Sequence, residues 1–154
     1  MKNTFYLVYI SLSGNTASFI ERLKTYLLFQ SDLDIETVHV KDLVKEGKDF
    51  FSLSAPFMAF LPTYLEGGNG LDNGDKEILT TPLADFIAYG DNVKNCIGIV
   101  GSGNRNFNHQ YCLTAKQYSQ RFGFPVLYNF ELRGLQQDVE RVGQMIVEEM
   151  KKRS

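Results

Sequence analysis

Thr4-Phe5-Tyr6-Leu7-Val8-Tyr9-Ile10, an apolar run with strand character, leads directly into Ser11-Leu12-Ser13-Gly14-Asn15-Thr16, and an amphipathic run follows. A hydroxyl- and glycine-rich turn between a buried strand and a helix N-terminus suits a phosphate. The first-turn N–H groups have no partner inside the helix, and the helix dipole favours negative charge. Ser11, Ser13 and Thr16 add hydroxyls, Gly14 admits a conformation or close approach that a side chain would block, and Asn15 tolerates tight turns. The plain alternative is a capped turn with no ligand, but three hydroxyls, a glycine and an asparagine in six residues exceed what a cap needs.

Working outward, Phe19, Ile20, Leu23, Tyr26 and Leu27 recur at helical spacing and predict a helix over 16–29. Residues 34–40 alternate weakly (Ile35, Thr37, Val38, Val40) and read as a second strand, while 41–54 holds at most a short helix before Gly47. The runs 56–61 and 95–100 are continuously apolar, and 126–130 reads as a fifth strand. Further helices are predicted over 82–89, 108–122 and 136–151; the last carries Val139, Val142, Ile146 and Met150 on one face, with Lys151, Lys152 and Arg153 at the negative end of its dipole. Near-continuous apolar strands separated by helices predict an α/β doubly wound sandwich, a parallel sheet covered on both faces. Ligands of such sheets bind beyond the carboxyl ends of the strands, at the switch in strand order. Three polar, glycine-rich segments fall there: 11–16, 62–74 and 101–107.

The second segment, Pro62-Thr63-Tyr64-Leu65-Glu66-Gly67-Gly68-Asn69-Gly70-Leu71-Asp72-Asn73-Gly74, is long, and long loops in compact domains are usually functional or mobile. Its glycines permit close backbone approach to a flat ligand or form a plain linker; Tyr64 stacks on that ligand or is a packing tyrosine. In the third, Gly101-Ser102-Gly103-Asn104-Arg105-Asn106-Phe107, hydroxyl, amide and backbone groups suit the edge of a heterocycle. Asn106 or Asn108 also suits a helix N-cap. His109 has no carboxylate near it in sequence that would equip it as a base. Cys112, beside Tyr111, lines the ligand or is a buried structural thiol.

Composition narrows the classes. The chain has 154 residues, 44% of them hydrophobic, enough to close one core without metal or disulfide staples. A net charge of −2 supplies no footprint for nucleic acid. Cys96 and Cys112 form neither a CxxC nor a zinc pattern and read as reduced thiols of a cytoplasmic protein. Neither a signal peptide nor an apolar stretch approaching membrane-spanning length is present, so no membrane association is expected. The first loop lacks the GKS/T ending of a P-loop and the GxGxxG of a dinucleotide site, no serine sits in a GxSxG elbow, and no cluster has metal spacing. What remains is a mononucleotide cofactor whose chemistry is its own, held by hydroxyls and backbone.

Ser11-Leu12-Ser13-Gly14-Asn15-Thr16 resembles the phosphate loop of flavodoxins, with Ser13 where many have Thr. Leu61-Pro62-Thr63-Tyr64, Gly101-Ser102-Gly103-Asn104-Arg105-Asn106-Phe107, Tyr111-Cys112 and Phe130-Glu131-Leu132-Arg133-Gly134 resemble, in order, the NrdI family, flavodoxin-like proteins that accompany class Ib ribonucleotide reductase. The resemblance runs from the first strand to Asp138-Val139-Glu140, and the SGNRNF and FELRG stretches are its most specific parts. It implies a single flavodoxin-like domain over 1–154, a three-layer sandwich around a five-stranded parallel sheet in the order 2-1-3-4-5. It implies FMN, with the phosphate on Ser11, Ser13, Gly14, Asn15 and Thr16. The isoalloxazine would lie between Pro62, Thr63, Tyr64, Leu65, Glu66, Gly67 and Gly68 on one side and Ser102, Gly103, Asn104, Asn106 and Phe107 on the other, with Tyr111 and Cys112 alongside.

By the same resemblance the flavin carries the chemistry, with no catalytic side chain and no metal site. The reduced flavin reacts with oxygen, and the superoxide or peroxide-level product serves to assemble the dimanganese-tyrosyl radical of the reductase small subunit, the expected partner alongside a separate reductant. The protein is then an accessory flavoprotein rather than a stand-alone metabolic enzyme. One departure stands out: where many members have a compact VPTYGGG loop, Leu65-Glu66 intervene and the loop runs on to Asp72-Asn73-Gly74. Negative charge from Glu66 and Asp72 near the ring would lower its potential, towards a flavodoxin-type one-electron carrier. The near balance of 16 basic and 18 acidic residues argues against that role, since carriers are strongly acidic. A flavin-free module that keeps only the fold is the third reading.

Overall fold

A computed structural model describes residues 3–63, 79–104 and 112–153, together with the backbone of 65–66 and 76–77. The elements, in chain order, are β1 (Thr4–Tyr9), α1 (Asn15–Gln30), β2 (Asp34–His39), α2 (Val40–Lys45), β3 (Phe57–Pro62), β4 (Leu65–Glu66), β5 (Lys76–Glu77), α3 (Thr81–Ala88), α4 (Asn92–Asn95), β6 (Cys96–Gly103), α5 (Leu113–Phe122), β7 (Val126–Glu131) and α6 (Gln136–Arg153). The main sheet is five-stranded in the order β2-β1-β3-β6-β7, and every pairing in it is parallel. This is the flavodoxin-like order expected from the sequence.

Period-2 alternation assigns the faces. On β3, Phe57, Ala59 and Leu61 join a core formed with Val40, Leu83, Phe86 and Ala115, the layer of α2, α3 and α5. Met58 and Phe60 point the other way, into a core with Phe19, Leu23, Val142 and Ile146 from α1 and α6. Two-sided burial explains why the strands are continuously apolar. No helix among the described residues is long and apolar enough to cross a membrane.

Three details differ from the sequence reading. Gly101, Ser102 and Gly103 belong to β6 rather than to a loop: Leu61 and Pro62 of β3 pair with Gly101 and Ser102, and β7 pairs from the other side, so the ladder continues three residues past Val100. After Pro62 the chain forms the antiparallel ribbon β4–β5, Leu65 opposite Glu77 and Glu66 opposite Lys76, which the apolar pattern did not signal. The one-turn helix α4 was also unanticipated. Its Asn92 is fully buried and pins the irregular segment before β3. The side-chain oxygen accepts the Leu53 N–H at 2.7 Å, and the amide donates to the carbonyls of Phe51 at 3.0 Å and Phe86 at 2.9 Å.

An apolar isostere would strand these three backbone groups, and a buried group left unpaired costs about 1–3 kcal/mol. Asn92→Leu is therefore expected to lower the unfolding free energy by about 3 kcal/mol. Urea denaturation followed by far-UV circular dichroism checks this, and an unchanged midpoint would contradict it.

Candidate functional site

Because all five main strands run parallel, their carboxyl ends share one side of the sheet. The chain leaves β1 through α1 on one face of the sheet and β3 through α3 on the other, so the two connections part above the paired strand ends and open a crevice. A cavity of about 210 Å³ lies there. Ser13 and Asn15 line it from the β1–α1 turn, Pro62 and Thr63 from the end of β3, Ser102, Gly103 and Asn104 from the end of β6, and Leu132 from beyond β7. Seven of these eight residues were singled out from the sequence, and Leu132 was not.

The β1–α1 turn has the local structure its residues dictate. Gly14 is the N-cap of α1 at φ 93°, a left-handed conformation that costs glycine nothing. Its carbonyl starts the helix by accepting the Ser18 N–H at 3.0 Å. Ser11 faces inward: it is buried, and its hydroxyl accepts the Ala17 N–H at 3.1 Å. Ser13 and Gly14 are exposed. Asn15 and Thr16 begin the helix, where N–H groups have no intrahelical acceptor. Thr16 is 1% exposed, and its hydroxyl has no hydrogen-bond partner among the described residues.

The hydroxyls at the other two strand ends are spent within the fold. Thr63 Oγ1 donates to the Ser102 carbonyl at 3.0 Å, and Ser102 Oγ donates to the Leu61 carbonyl at 3.5 Å, so the two side chains lace β3 to β6 beneath the cavity. Cys112 caps α5 in a left-handed conformation (φ 56°), buried, with its sulfur 4.0 Å from the Phe130 carbonyl. It is absent from the described lining of the cavity. Cys96 is held at the start of β6, where burial pushes its thiol up to about 12, making it a poor nucleophile. Of the remaining sequence-selected residues, Leu65 and Glu66 have their backbone in the β4–β5 ribbon. Tyr64, Gly67, Gly68, Asn106, Phe107 and Tyr111 lie outside the described residues.

Two features at the site escaped the sequence reading. The first is the turn after β7. Leu132 adopts φ 55°, uncommon for a side chain of its size, and its N–H donates to the Gly103 carbonyl at 2.9 Å. Arg22 of α1 holds the same turn, donating to the carbonyls of Arg133 and, at 3.0 Å, Gly134. Below it Phe19 and Phe130 stack with centroids 4.0 Å apart and planes 7° apart. The FELRG stretch thus works structurally, as a turn clamped by α1 that places Leu132 at the cavity wall. The second feature is His39 at the end of β2, whose Nε2 accepts the Ser11 N–H at 3.0 Å. A histidine at the carboxyl end of a strand next to β1 was the available signal. Tyr9, stacked on the His39 ring, has its phenol raised by burial and then by the charges of Asp42 and Glu21. Among the described residues no group of His, Cys, Asp and Glu could hold a metal.

The clamp has a measurable consequence. Gly134 sits at φ 76°, and a Cβ added there would meet Phe19 at 2.8 Å and Phe130 at 3.1 Å. Strain and overpacking coincide, so Gly134→Ala is expected to destabilise the protein by about 1–3 kcal/mol. A thermal melt comparing it with Gly47→Ala, also at positive φ but with open space around it, isolates the contact with the ring pair. Equal losses in the two variants would show that the rings yield freely.

Residues 7–144 match the family described as NrdI Flavodoxin like. An NrdI-like protein of Streptococcus pneumoniae serotype 4 is 66% identical over 146 residues, 94% of each chain. Protein NrdI of Malacoplasma penetrans is 36% identical over 141 residues, 92% of this chain and 89% of that one. Among solved structures, a short-chain flavodoxin associated with a non-canonical PDU bacterial microcompartment superposes with a TM-score of 0.64 over 99% of both chains at 16% identity, a likeness of fold. The strand order, the crevice between β1 and β3 and the match over nearly the whole chain converge: this protein belongs to the NrdI flavodoxin-like family.

Proposed function

We propose that the protein binds FMN in the crevice between β1 and β3 and acts as an NrdI-type flavoprotein for the class Ib ribonucleotide reductase small subunit. Family membership implies a flavin, and the observation that carries the mononucleotide form is the Thr16 hydroxyl: buried, without a partner among the described residues and in the first turn of α1. A buried hydroxyl without a partner is costly unless a ligand completes it. A phosphate at this helix start would accept from Thr16 Oγ1 and from first-turn N–H groups, with the dipole in its favour. The residues therefore fit the group.

Ser13, Gly14, Asn15 and Thr16 would hold the phosphate, and Ser11 would act from behind by keeping the turn in place. Pro62, Thr63, Gly103, Asn104 and Leu132 would wall the ring, with Tyr64, Gly67, Gly68, Asn106, Phe107 and Tyr111 completing the site by analogy with the family. FMN, when bound and reduced by a separate reductant, supplies the electrons that turn oxygen into the oxidant for the dimanganese-tyrosyl radical. The chain's own part is to bind and orient the cofactor and to present it at an open rim. The setting is the cytoplasm. A one-electron carrier is the competing reading, and the β4–β5 ribbon favours it in one respect, by fixing the backbone of the added Leu65-Glu66 beside the end of β3.

Thr16→Val removes the hydroxyl while keeping its volume. A hydrogen bond to a charged group is worth about 1.5–3 kcal/mol, so FMN affinity is expected to fall by about tenfold or more. Quenching of flavin fluorescence on titration into apoprotein reads this directly, and an unchanged Kd would detach Thr16 from the phosphate. The wider role is tested by electron paramagnetic resonance on the manganese-loaded small subunit mixed with the reduced protein and exposed to oxygen. A tyrosyl-radical signal that requires this protein is expected; a flavin that cycles while the manganese site stays silent would favour the carrier.

A further inference from the structure

At the end of β2, next to the β1–α1 turn, stands a histidine that holds that turn. The Nε2 of His39 lies 3.0 Å from the Ser11 backbone nitrogen, which carries the proton of that bond. Nε2 is therefore the bare nitrogen, and the ring proton sits on Nδ1, facing Asp42 Oδ2 at 3.3 Å. The ring is fixed in plane by Tyr9, with centroids 4.5 Å apart and planes 11° apart. Ser11 in turn caps α1 through its hydroxyl, which accepts from Ala17. A continuous chain of contacts thus runs from Asp42 through the imidazole to the Ser11 amide and on to the first turn of α1.

We infer that His39 is a positioning residue for the phosphate turn, holding it ready for the anion while the imidazole is neutral and releasing it on protonation. The inference rests on the FMN reading above for its ligand, but not for the coupling itself. A proton taken from solvent onto Nε2 makes both ring nitrogens donors, and the Ser11 N–H then faces an N–H instead of a lone pair. One of them must turn away. The imidazolium stays with Asp42 through Nδ1–H, so the Ser11 peptide is the part that moves, drawing its hydroxyl off Ala17. The groups that face the ring are Asp42 from α2 and Tyr9 from β1, with Glu21 of α1 acting on Tyr9 from the third side. The added positive charge would attract a phosphate, but it is paired with Asp42, whose side chain is 60% exposed, and solvent screens it. Loss of the turn's geometry outweighs it.

The test uses FMN as probe. Its affinity is measured by fluorescence quenching from about pH 8 to about pH 5, the interval in which histidine side chains change charge, for the wild-type protein and for His39→Gln. Glutamine can accept from Ser11 but does not titrate. The second ionisation of the FMN phosphate, at about 6, acts on both proteins alike, so the readout is the difference between them. We expect the wild-type affinity to fall about three- to tenfold further than that of His39→Gln towards acid, the worth of one hydrogen bond. The Ser11 amide resonance of ligand-free, ¹⁵N-labelled protein is expected to shift with the same midpoint. Should His39→Gln fail to fold, the pH titration of the Ser11 amide in the ligand-free wild-type protein decides the coupling. Superimposable pH profiles with a Ser11 amide indifferent to pH would overturn the inference while leaving FMN binding intact. Absence of FMN binding at any pH sinks the cofactor reading instead. The ligand-free amide titration then decides the coupling alone, in favour if Ser11 follows the imidazole and against if it does not.

Discussion

The two-sided burial of β3 is the constraint on which the rest of the structure depends. From Phe57 to Leu61 every residue is buried, so neither face of the strand meets water and its backbone groups must be satisfied by strands on both sides. β1 and β6 provide that pairing. Their parallel direction forces crossovers, and the crossovers deliver α1 to one face and α2, α3 and α5 to the other, while the C-terminal α6 packs beside α1. Once β3 is central and the chain has already placed β2 outside β1, the segments leaving the carboxyl ends of β1 and β3 pass to opposite faces. The crevice follows from topology before any polar residue is considered.

What the crevice can hold is decided by which polar groups the fold leaves unspent. Ser11, Thr63 and Ser102 are committed to internal hydrogen bonds, to α1 and between strand ends. They stiffen the rim, whereas Thr16 retains an unfulfilled hydroxyl where the helix also offers N–H groups. Residues of one chemical type, read together in a sequence as donors, thus divide into those bonded within the fold and one, Thr16, without a partner among the described residues. The Arg22–Phe19–Phe130 clamp does the same for the FELRG turn, converting a sequence signature into the support of one cavity residue, Leu132.

Beyond Pro62 the backbone is organised again: Leu65-Glu66 pairs with Lys76-Glu77 in an antiparallel ribbon.

The strands, the helices, their alternation and the β1–α1 turn were legible in the sequence because they depend on local periodicity and short-range turn chemistry. The apolar runs at β1, β3 and β6, the helical spacing from Phe19 to Leu27 and the Ser11–Thr16 turn all declare themselves within a few residues. The extent of β6 did not, because Gly101-Ser102-Gly103 has loop composition and becomes strand only by pairing with β3 and β7. The β4–β5 ribbon was missed because a pair of two-residue strands carries no period. His39 and Arg22 were invisible for a related reason: their partners, Ser11 and the 133–134 carbonyls, are 28 and 111–112 residues away in the chain. The sequence by itself determined the fold class, the family and the glycine-capped turn between β1 and α1. Only the tertiary structure decided which hydroxyls remain free, what braces the turn and which side chain walls the cavity, since those are contacts between segments that meet only when the sheet closes.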